Sequence, residues 1–160
     1  MSRAFVKEME DPGPEQPHEH PISPHPNLVT SRGLALIDAE LARLEAELDE
    51  APDETHAARL KRDQRYWTSR RATAQVTAPP SDSGEIGFGS RVTVKRDGKA
   101  AETIEIVGED EADPHEGRIS YVSPFAAALM GAEAGETVEV GPREPPIEVD
   151  ILKVENAPHS

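Results

Sequence analysis

The sequence predicts an α+β protein in which an antiparallel helical hairpin, a short coiled coil, precedes an antiparallel β-sheet domain with one helix. Two observations carry this prediction. In residues 30–76, apolar residues recur at alternating steps of three and four, which is typical of packed helices. After residue 90, β-branched residues instead alternate with polar ones, as in strands. We therefore divide the chain into a tail (1–29), a hairpin (30–76), a linker (77–90) and a sheet domain (91–156).

The tail is rich in proline and histidine. Residues 1–29 contain six prolines and three histidines, and proline at this density removes backbone donors and blocks helix formation, so we expect an extended or disordered segment. His18, His20 and His25 offer imidazoles to a metal ion, but nothing in the segment fixes their geometry, and we favour a tail without a metal. The opening "MSRAFVKEMEDPGPEQ" lacks the continuous apolar core of a signal peptide, so the expected compartment is the cytoplasm.

The first helix of the hairpin is predicted from "TSRGLALIDAELARLEAELDE". Thr30 or Ser31 is a suitable N-cap, and Pro52 ends the helical pattern in "DEAPDE". One face carries a heptad stripe formed by Leu34, Ile37, Leu41, Leu44 and Leu48. A stripe of this kind needs a partner helix, and the short connection that follows makes an antiparallel hairpin the natural geometry.

The second helix is predicted from "THAARLKRDQRYWTSRRATAQV". Its packed face contains Ala57, Leu60, Gln64, Trp67 and Ala74, and its basic residues are Arg59, Lys61, Arg62, Arg65, Arg70 and Arg71. Residues 31–54 carry a net charge of −6 and residues 55–76 a net charge of +5. Opposite charges of this size predict that the basic residues pair mainly with the first helix rather than with nucleic acid.

The segment "TAPPSDSGEIGFGS" is rich in Pro, Gly and Ser and is predicted as a linker. Beyond it, "SRVTVKRDG" and "AAETIEIVG" flank Asp97-Gly98, a pair typical of β-hairpin turns. Further strands are expected in "GRISYVS", "ETVEVG" and "IEVDILKVE". In "SPFAAALMG", Ser123 as N-cap, Pro124 in the first turn and Gly131 after the end predict one short helix.

An acidic run lies between the second of these strands and the third. Its members are Glu109, Asp110, Glu111 and Asp113. Three interpretations remain open: a solvated loop, a surface that meets a partner protein, and a Ca²⁺ or Mg²⁺ site. The third is disfavoured because the run lacks the alternating carboxylates and the glycine of an EF-hand loop.

Composition excludes several functional classes. The net charge of −14 argues against a general affinity for nucleic-acid backbones, whose phosphates it repels. The absence of cysteine excludes disulfides, thiol catalysis and thiolate metal sites within this sequence.

The stretch "IVGEDEADPHEGRISYVSPFAAALMGAEAGETVEV" (106–140) resembles the C-terminal signature of the GreA/GreB family of bacterial transcription elongation factors. "GFGSRVTV" (87–94) is similar to the start of that domain, and "LVTSRGLALIDAELARLEAEL" resembles the family's first helix more loosely. The resemblance covers about residues 28–155, and its strongest motifs lie in the C-terminal half.

The resemblance implies an FKBP-like C-terminal domain that docks on bacterial RNA polymerase at the rim of the secondary channel, with the coiled coil entering the channel. In the family, acidic residues at the hairpin tip help to hold a second Mg²⁺ at the polymerase active site, where the polymerase itself hydrolyses backtracked RNA. The tip residues that correspond here are Asp49, Glu50, Asp53 and Glu54. The resemblance also implies polymerase contacts at Glu109, Asp110, Glu111, Asp113, Ser123 and Pro124. It further implies a monomer that has no metal ion of its own and meets nucleic acid only through the transcription complex.

The tip departs from the family pattern. "DEAPDETH" retains the acids but lacks the family's Asn and aromatic residue, and Pro52 stands among the acids. A first helix of about 19 residues, at about 1.5 Å each, is about 29 Å long, which makes the hairpin shorter than in cleavage factors. We therefore expect a non-catalytic accessory factor and keep transcript cleavage as the alternative.

Two rival functions come from other classes. One is a protein-binding module that regulates an enzyme other than polymerase. The other is an FKBP-type prolyl isomerase, which is disfavoured because residues 77–160 offer only three aromatic side chains, Phe88, Tyr121 and Phe125, to line a pocket.

Overall fold

The computed structural model describes residues 17–81, 84–142 and 144–157. The helices are α1 (Ser31–Asp49), α2 (Glu54–Thr73) and α3 (Pro124–Leu129), with a 3₁₀ turn at Pro114–Glu116. The strands are β1 (Leu28–Val29), β2 (Gln75–Val76), β3 (Arg91–Arg96), β4 (Glu102–Val107), β5 (Arg118–Ser120), β6 (Thr137–Val140) and β7 (Ile147–Glu155). The α+β class and the order of helical hairpin and sheet domain are confirmed. None of the helices in the described ranges is long and apolar enough to cross a membrane.

The hairpin forms because two capped amphipathic helices bury one face against each other. Thr30 caps α1 by accepting a hydrogen bond from the Gly33 backbone N–H at 2.9 Å, and Asp53 caps α2 by accepting one from His56 at 2.7 Å. Within the heptad stripe, Ile37 and Leu44 are fully buried, whereas the other three leucines are half-buried. A single pair of helices can cover only the centre of such a stripe, so its edges stay open to water.

The charge pairing differs from the prediction. Among the described residues, one ion pair joins the two helices, between Arg71 Nε and Asp38 Oδ1 at 2.6 Å. The remaining paired cations of α2 turn to other partners: Arg65 to Glu19, Arg62 to the adjacent Asp63, and Arg70 to the acidic run. The net charge of each helix therefore correctly predicted that the two helices associate. It did not identify the ion-pair partners, because segments outside the hairpin compete for the same cations.

Of the two alternatives predicted for the tail, the structure shows the extended one for residues 17–27, ordered by contacts with α2, and residues 28–29 form β1. The prediction of disorder for residues 1–16 lies outside the described residues. Residues 17–27, the N-terminal strap, run along α2 and bind it. Glu19 pairs with Arg65, His20 Nε2 lies 2.7 Å from Asp63 Oδ1, and the Asn27 amide donates to the Arg70 carbonyl at 2.8 Å. Proline blocks helix but not extended chain, and ion pairs to α2 provide the ordering that an apolar core does not.

The base of the hairpin is closed by a two-stranded parallel sheet. Leu28 pairs with Gln75 and Val29 pairs with Val76. The strands are extended by hydrogen bonds from Gln75 N–H to the Asn27 carbonyl and from Thr77 N–H to the Val29 carbonyl, both at 2.9 Å. The chain that enters the hairpin is thus bonded to the chain that leaves it.

The sheet domain contains five strands in the order β5-β4-β3-β7-β6. Three strand pairs are antiparallel, as predicted, and the β3–β4 turn uses Asp97 and Gly98 at positive φ values of 47° and 74°. The β4–β5 pair is parallel, which the sequence did not predict. Residues 108–117, which contain the acidic run and the 3₁₀ turn, form the crossover that a parallel pair requires.

The core of the sheet domain lies between α3 and one face of the sheet. Val92, Val94, Ile106 and Leu129 are fully buried there. The Ser123 hydroxyl accepts a hydrogen bond from the Ala126 N–H at 3.2 Å, and Gly131 follows α3 with φ +87°, as the sequence predicted.

The predicted linker is shorter than 77–90. Ile86 and Phe88 are buried in the sheet domain, the Ile86 N–H donates to the Ala132 carbonyl at 2.9 Å, and Ser90 is fully buried. Glycine and serine made this segment look like a linker, but here glycine permits close packing. At Gly87, a Cβ atom would lie only 2.6 Å from a side-chain atom of Pro80. The sheet domain therefore begins near residue 85.

Candidate functional site

The hairpin tip presents the four predicted acids, and all four are exposed. Among the described residues, Asp53 is the tip acid whose side chain makes a local hydrogen bond, since its carboxylate caps α2. Part of its hydrogen-bonding capacity is therefore already used by the backbone. No group of three or more His, Asp or Glu side chains in the described parts of the chain is arranged to hold a metal ion. His18, His20 and His25 are among the residues searched, and a metal site at these histidines stays the less favoured hypothesis.

The acidic run does not lie in open solvent. Glu111 is only 5% exposed. Its Oε1 accepts a hydrogen bond from the Thr30 hydroxyl at 2.6 Å, and its Oε2 accepts one from Arg32 Nε at 2.5 Å. Arg32 also reaches Glu105 through Nη2 at 2.9 Å. The start of α1 is therefore bound to the end of β4 and to the acidic run by charge-assisted hydrogen bonds, which are stronger than neutral ones.

A second set of contacts is centred on Arg70, which is 2% exposed. Its Nε donates to Asp110 Oδ2 at 2.6 Å and its Nη2 donates to Asn27 Oδ1 at 2.8 Å. The Tyr66 hydroxyl donates to the other Asp110 oxygen. A buried guanidinium needs such partners, because an unpaired charge costs several kcal/mol, roughly 3–5 when one partner of a buried pair is removed.

Tyr66 keeps its proton at this position. Burial raises the pKa of its phenol, and the hydrogen bond to the Asp110 carboxylate raises the pKa further, because both disfavour a phenolate. Tyr66 therefore acts as a hydrogen-bond donor throughout the physiological pH range. Glu109 lies beside this network, with Oε2 at 3.9 Å from Arg70 Nη2.

The other predicted contact residues belong to different elements. Asp113 is half-buried and lies 3.9 Å from Arg118 Nη2. Ser123 is occupied in capping α3, whereas Pro124 is exposed at the start of that helix. The structure thus brings Glu109, Asp110 and Glu111 against the hairpin and leaves the start of α3 as a separate surface. The solvated-loop interpretation is wrong for Asp110 and Glu111.

The contacts of Arg32 and Arg70 with the end of β4 and the acidic run form the junction between the hairpin and the sheet domain. Sequence reasoning did not identify either arginine as part of such a junction. Arg70 and Arg71 are neighbours in sequence, yet Arg70 is buried while the Arg71 side chain is about half exposed at 48%. Helical periodicity offers a partial signal, because Arg70 follows Tyr66 by one turn and shares its face. Nothing in the local sequence distinguishes Arg32, whose partners lie more than 70 positions away.

Comparison with known proteins assigns the family. Residues 80–156 match the family model described as transcription elongation factor, GreA/GreB, C-term. The transcription elongation factor GreA of Ruegeria pomeroyi is 34% identical over 151 residues, which cover 79% of this chain and 96% of that protein. The chain belongs to the GreA/GreB family. The GreA of Desulfovibrio desulfuricans is also 34% identical, over 134 residues that cover 70% of this chain and 83% of that protein.

Among solved structures, GreA factor homolog 1 (Gfh1) of Thermus thermophilus matches with 19% identity and a TM-score of 0.39. The match covers 82% of this chain and 99% of that chain. In the present GreA/GreB protein, the family match spans the sheet domain together with the acidic run, and it begins within the segment that we had predicted to be a linker. This agrees with the packing of Ile86 and Phe88 in the sheet domain.

Replacing Thr30 by alanine in this GreA/GreB chain should lower the free energy of unfolding by about 1–2 kcal/mol. The change removes the cap on α1 and the hydroxyl donor to Glu111 together. Thr30→Ser keeps the hydroxyl and should recover most of the loss in urea denaturation. Ser123→Ala is the matched comparison, because it removes a helix cap whose hydroxyl is not bonded to a charged side chain among the described residues. Equal losses for Thr30→Ala and Thr30→Ser would show that the hydroxyl contributes nothing.

Proposed function

We propose that this GreA/GreB family protein is a non-catalytic regulator of transcription elongation that binds bacterial RNA polymerase at the secondary channel. The sheet domain docks at the rim and the acidic hairpin tip points inward. The observation that carries this proposal is the buried junction between the two parts: Arg70 of the hairpin binds Asp110, and Thr30 at the start of the hairpin binds the buried Glu111. A factor that docks through one part and acts through the other needs a fixed angle between them.

The docking surface is expected on the sheet domain away from the junction. Asp110 and Glu111 are bonded to the hairpin, Glu109 lies beside Arg70, and Ser123 caps α3. Of the six predicted contacts, Asp113 and the exposed Pro124 are therefore the ones left for a partner. The net charge of −14 favours a basic surface on the partner and speeds the encounter with it.

The tip supports regulation rather than cleavage. Mg²⁺ requires oxygen ligands in near-ideal octahedral geometry. The four tip acids are exposed, and Asp53 is already used as a helix cap. Any ion at the tip would therefore be held mainly by the polymerase, with the tip adding one or two carboxylates. An acidic tip inside the channel can also act by occupying space and repelling phosphate groups.

The test uses stalled, backtracked elongation complexes with Mg²⁺, in which RNA length is followed with time. We expect no shortening of the RNA above the rate of polymerase alone, together with competition against a known secondary-channel cleavage factor. Failure to associate with core polymerase at micromolar concentration would overturn the proposal. Recovery of a different enzyme in pull-downs that leave polymerase behind would favour the module that regulates another protein.

Variants of the tip separate regulation from cleavage. Asp53→Ser keeps a capping oxygen but removes the carboxylate, so α2 should remain intact. Glu50→Gln removes a second charge at the tip, and Glu45→Gln, exposed on α1, is the control. Shortened RNA that is lost with Asp53→Ser and Glu50→Gln but kept with Glu45→Gln would establish transcript cleavage as the activity.

A further inference from the structure

A cleft of about 590 Å³ opens where the N-terminal strap, α2 and the acidic run meet. This volume lies within the range of small-ligand sites, roughly 300–1,000 Å³. Its walls come from three segments that are far apart in sequence. The ion pairs between Glu19 and Arg65 and between Asp110 and Arg70 hold those walls together.

Aromatic rings form one side of the cleft. The ring centroid of Tyr66 lies 5.7 Å from that of His20 and 5.1 Å from that of Trp67, with interplanar angles of 80° and 89°. Successive rings are thus nearly perpendicular, so the set offers ring faces in more than one direction. The faces of Tyr and Trp carry negative electrostatic potential and attract cations.

Carboxylates form the other side. Asp63 and Asp110 are already paired, Asp63 with His20 and Arg62, and Asp110 with Tyr66 and Arg70. Glu109 differs, because its Oε2 is buried and accepts no hydrogen bond from any described residue. Arg70 Nη2 lies at ion-pair distance from this oxygen, 3.9 Å, but is too far to donate a hydrogen bond to it and is already bonded to Asn27.

A buried carboxylate oxygen without a donor is costly, and an incoming donor would remove that cost. The cleft also contains one cation that could compete, Arg62, but its Nε and Nη2 are both directed to Asp63, at 3.0 and 2.9 Å. Asp63 and Asp110 are each paired with an arginine, so Glu109 is the carboxylate of the cleft that would most strongly repel an anionic ligand.

We propose that this cleft binds an organic cation, a guanidinium or an ammonium group. The charged head pairs with Glu109, and the alkyl stem packs against Tyr66 and Trp67. Charge-assisted hydrogen bonding and cation–π attraction act on the same group, and the protein's net charge of −14 raises the local concentration of cations. The proposal does not depend on the binding of polymerase.

The test uses Trp67, the single tryptophan of the chain, as an intrinsic fluorescent reporter in the site. The 160-residue protein is titrated with Nα-acetyl-arginine amide, with Nα-acetyl-glutamine amide as the neutral counterpart. We expect a saturable change in fluorescence with the arginine derivative and none with the glutamine derivative. No saturable change up to about 50 mM, a range that covers even very weak affinity, would overturn the proposal.

Glu109→Gln is the decisive variant, since it keeps the shape of the side chain and removes its charge. It should weaken binding about tenfold or more, as loss of a charge-assisted hydrogen bond implies. Glu45→Gln, an exposed acid on α1, should bind like the parent protein. Equal affinities for the parent, Glu109→Gln and Glu45→Gln would mean diffuse attraction by an acidic protein and would contradict the proposal. A far-UV circular dichroism spectrum unchanged by Glu109→Gln confirms that the fold is intact.

Two further titrations identify the source of the cation. Spermidine represents a free polyamine, and a short arginine-containing peptide represents a side chain of a protein partner, with the same peptide carrying glutamine as its control. Tighter binding of spermidine assigns the cleft to a free metabolite. Tighter binding of the arginine peptide assigns it to a protein segment.

Discussion

Replacing Arg70 by methionine is expected to lower the free energy of unfolding by about 3–5 kcal/mol, the range seen when one partner of a buried ion pair is removed. Arg70 is 2% exposed and donates to Asp110 at 2.6 Å and to Asn27 at 2.8 Å. Methionine fills a similar volume but leaves the Asp110 carboxylate with only the Tyr66 hydroxyl. The loss should appear in urea denaturation followed both by far-UV circular dichroism and by the fluorescence of Trp67.

The neighbouring arginine supplies the control. Arg71 makes one ion pair with Asp38 on the surface, where both side chains are about half exposed. Arg71→Met should therefore change the free energy of unfolding by only about 0–1 kcal/mol. Arg70→Lys keeps the charge but cannot reproduce the planar two-sided donation, so it should fall between the parent and Arg70→Met. Equal effects of Arg70→Met and Arg71→Met would refute the central place given to Arg70 at the junction.

Gly108→Ala is expected to destabilise the protein by about 3 kcal/mol, at the upper end of typical overpacking costs. A Cβ atom at Gly108 would lie 2.2 Å from the carbonyl oxygen of Leu28, which is a backbone atom of β1. A flexible side chain could turn away from such a contact, but β1 is held by its pairing with β2 and cannot yield without opening the base of the hairpin. The same denaturation measurement checks the effect.

Gly84→Ala is the matched control, since the nearest atom to its added Cβ would be a side-chain oxygen of Glu133 at 3.9 Å. It should be neutral or slightly stabilising, because alanine reduces the conformational freedom of the unfolded chain. If Gly108→Ala were as well tolerated as Gly84→Ala, the close approach of β1 to the acidic run would not exist in solution.

Local patterns predicted most of the secondary structure. The heptad spacing of Ile37 and Leu44, the capping residues Thr30 and Ser123, and the Asp97-Gly98 turn each specify their element through contacts within a few positions. Such contacts are visible in a single sequence because the physical cause and its effect lie side by side.

The junction was not predictable in the same way. Arg70 and Asp110 are 40 positions apart, and Thr30 and Glu111 are 81 apart. Composition identified both sets of charges but could not decide which cation meets which anion, because every basic residue of α2 is compatible with several acids. The packing of the N-terminal strap and of the predicted linker was not foreseen for a related reason. Pro and Gly disfavour helix, but they do not prevent an extended chain from packing against a neighbouring element.

The short parallel sheet at the base of the hairpin has a mechanical consequence. Because β1 and β2 pair at the base of the hairpin, α1 and α2 cannot separate there without breaking that pairing. The length of the two helices can therefore change without altering how the hairpin is attached to the sheet domain. Adding or removing seven residues in each helix would move the tip by about 10 Å while the base, the strap and the junction stay unchanged. In this protein the length of the helices sets how far the tip extends from the base, and the base sets the direction in which the hairpin leaves the sheet domain.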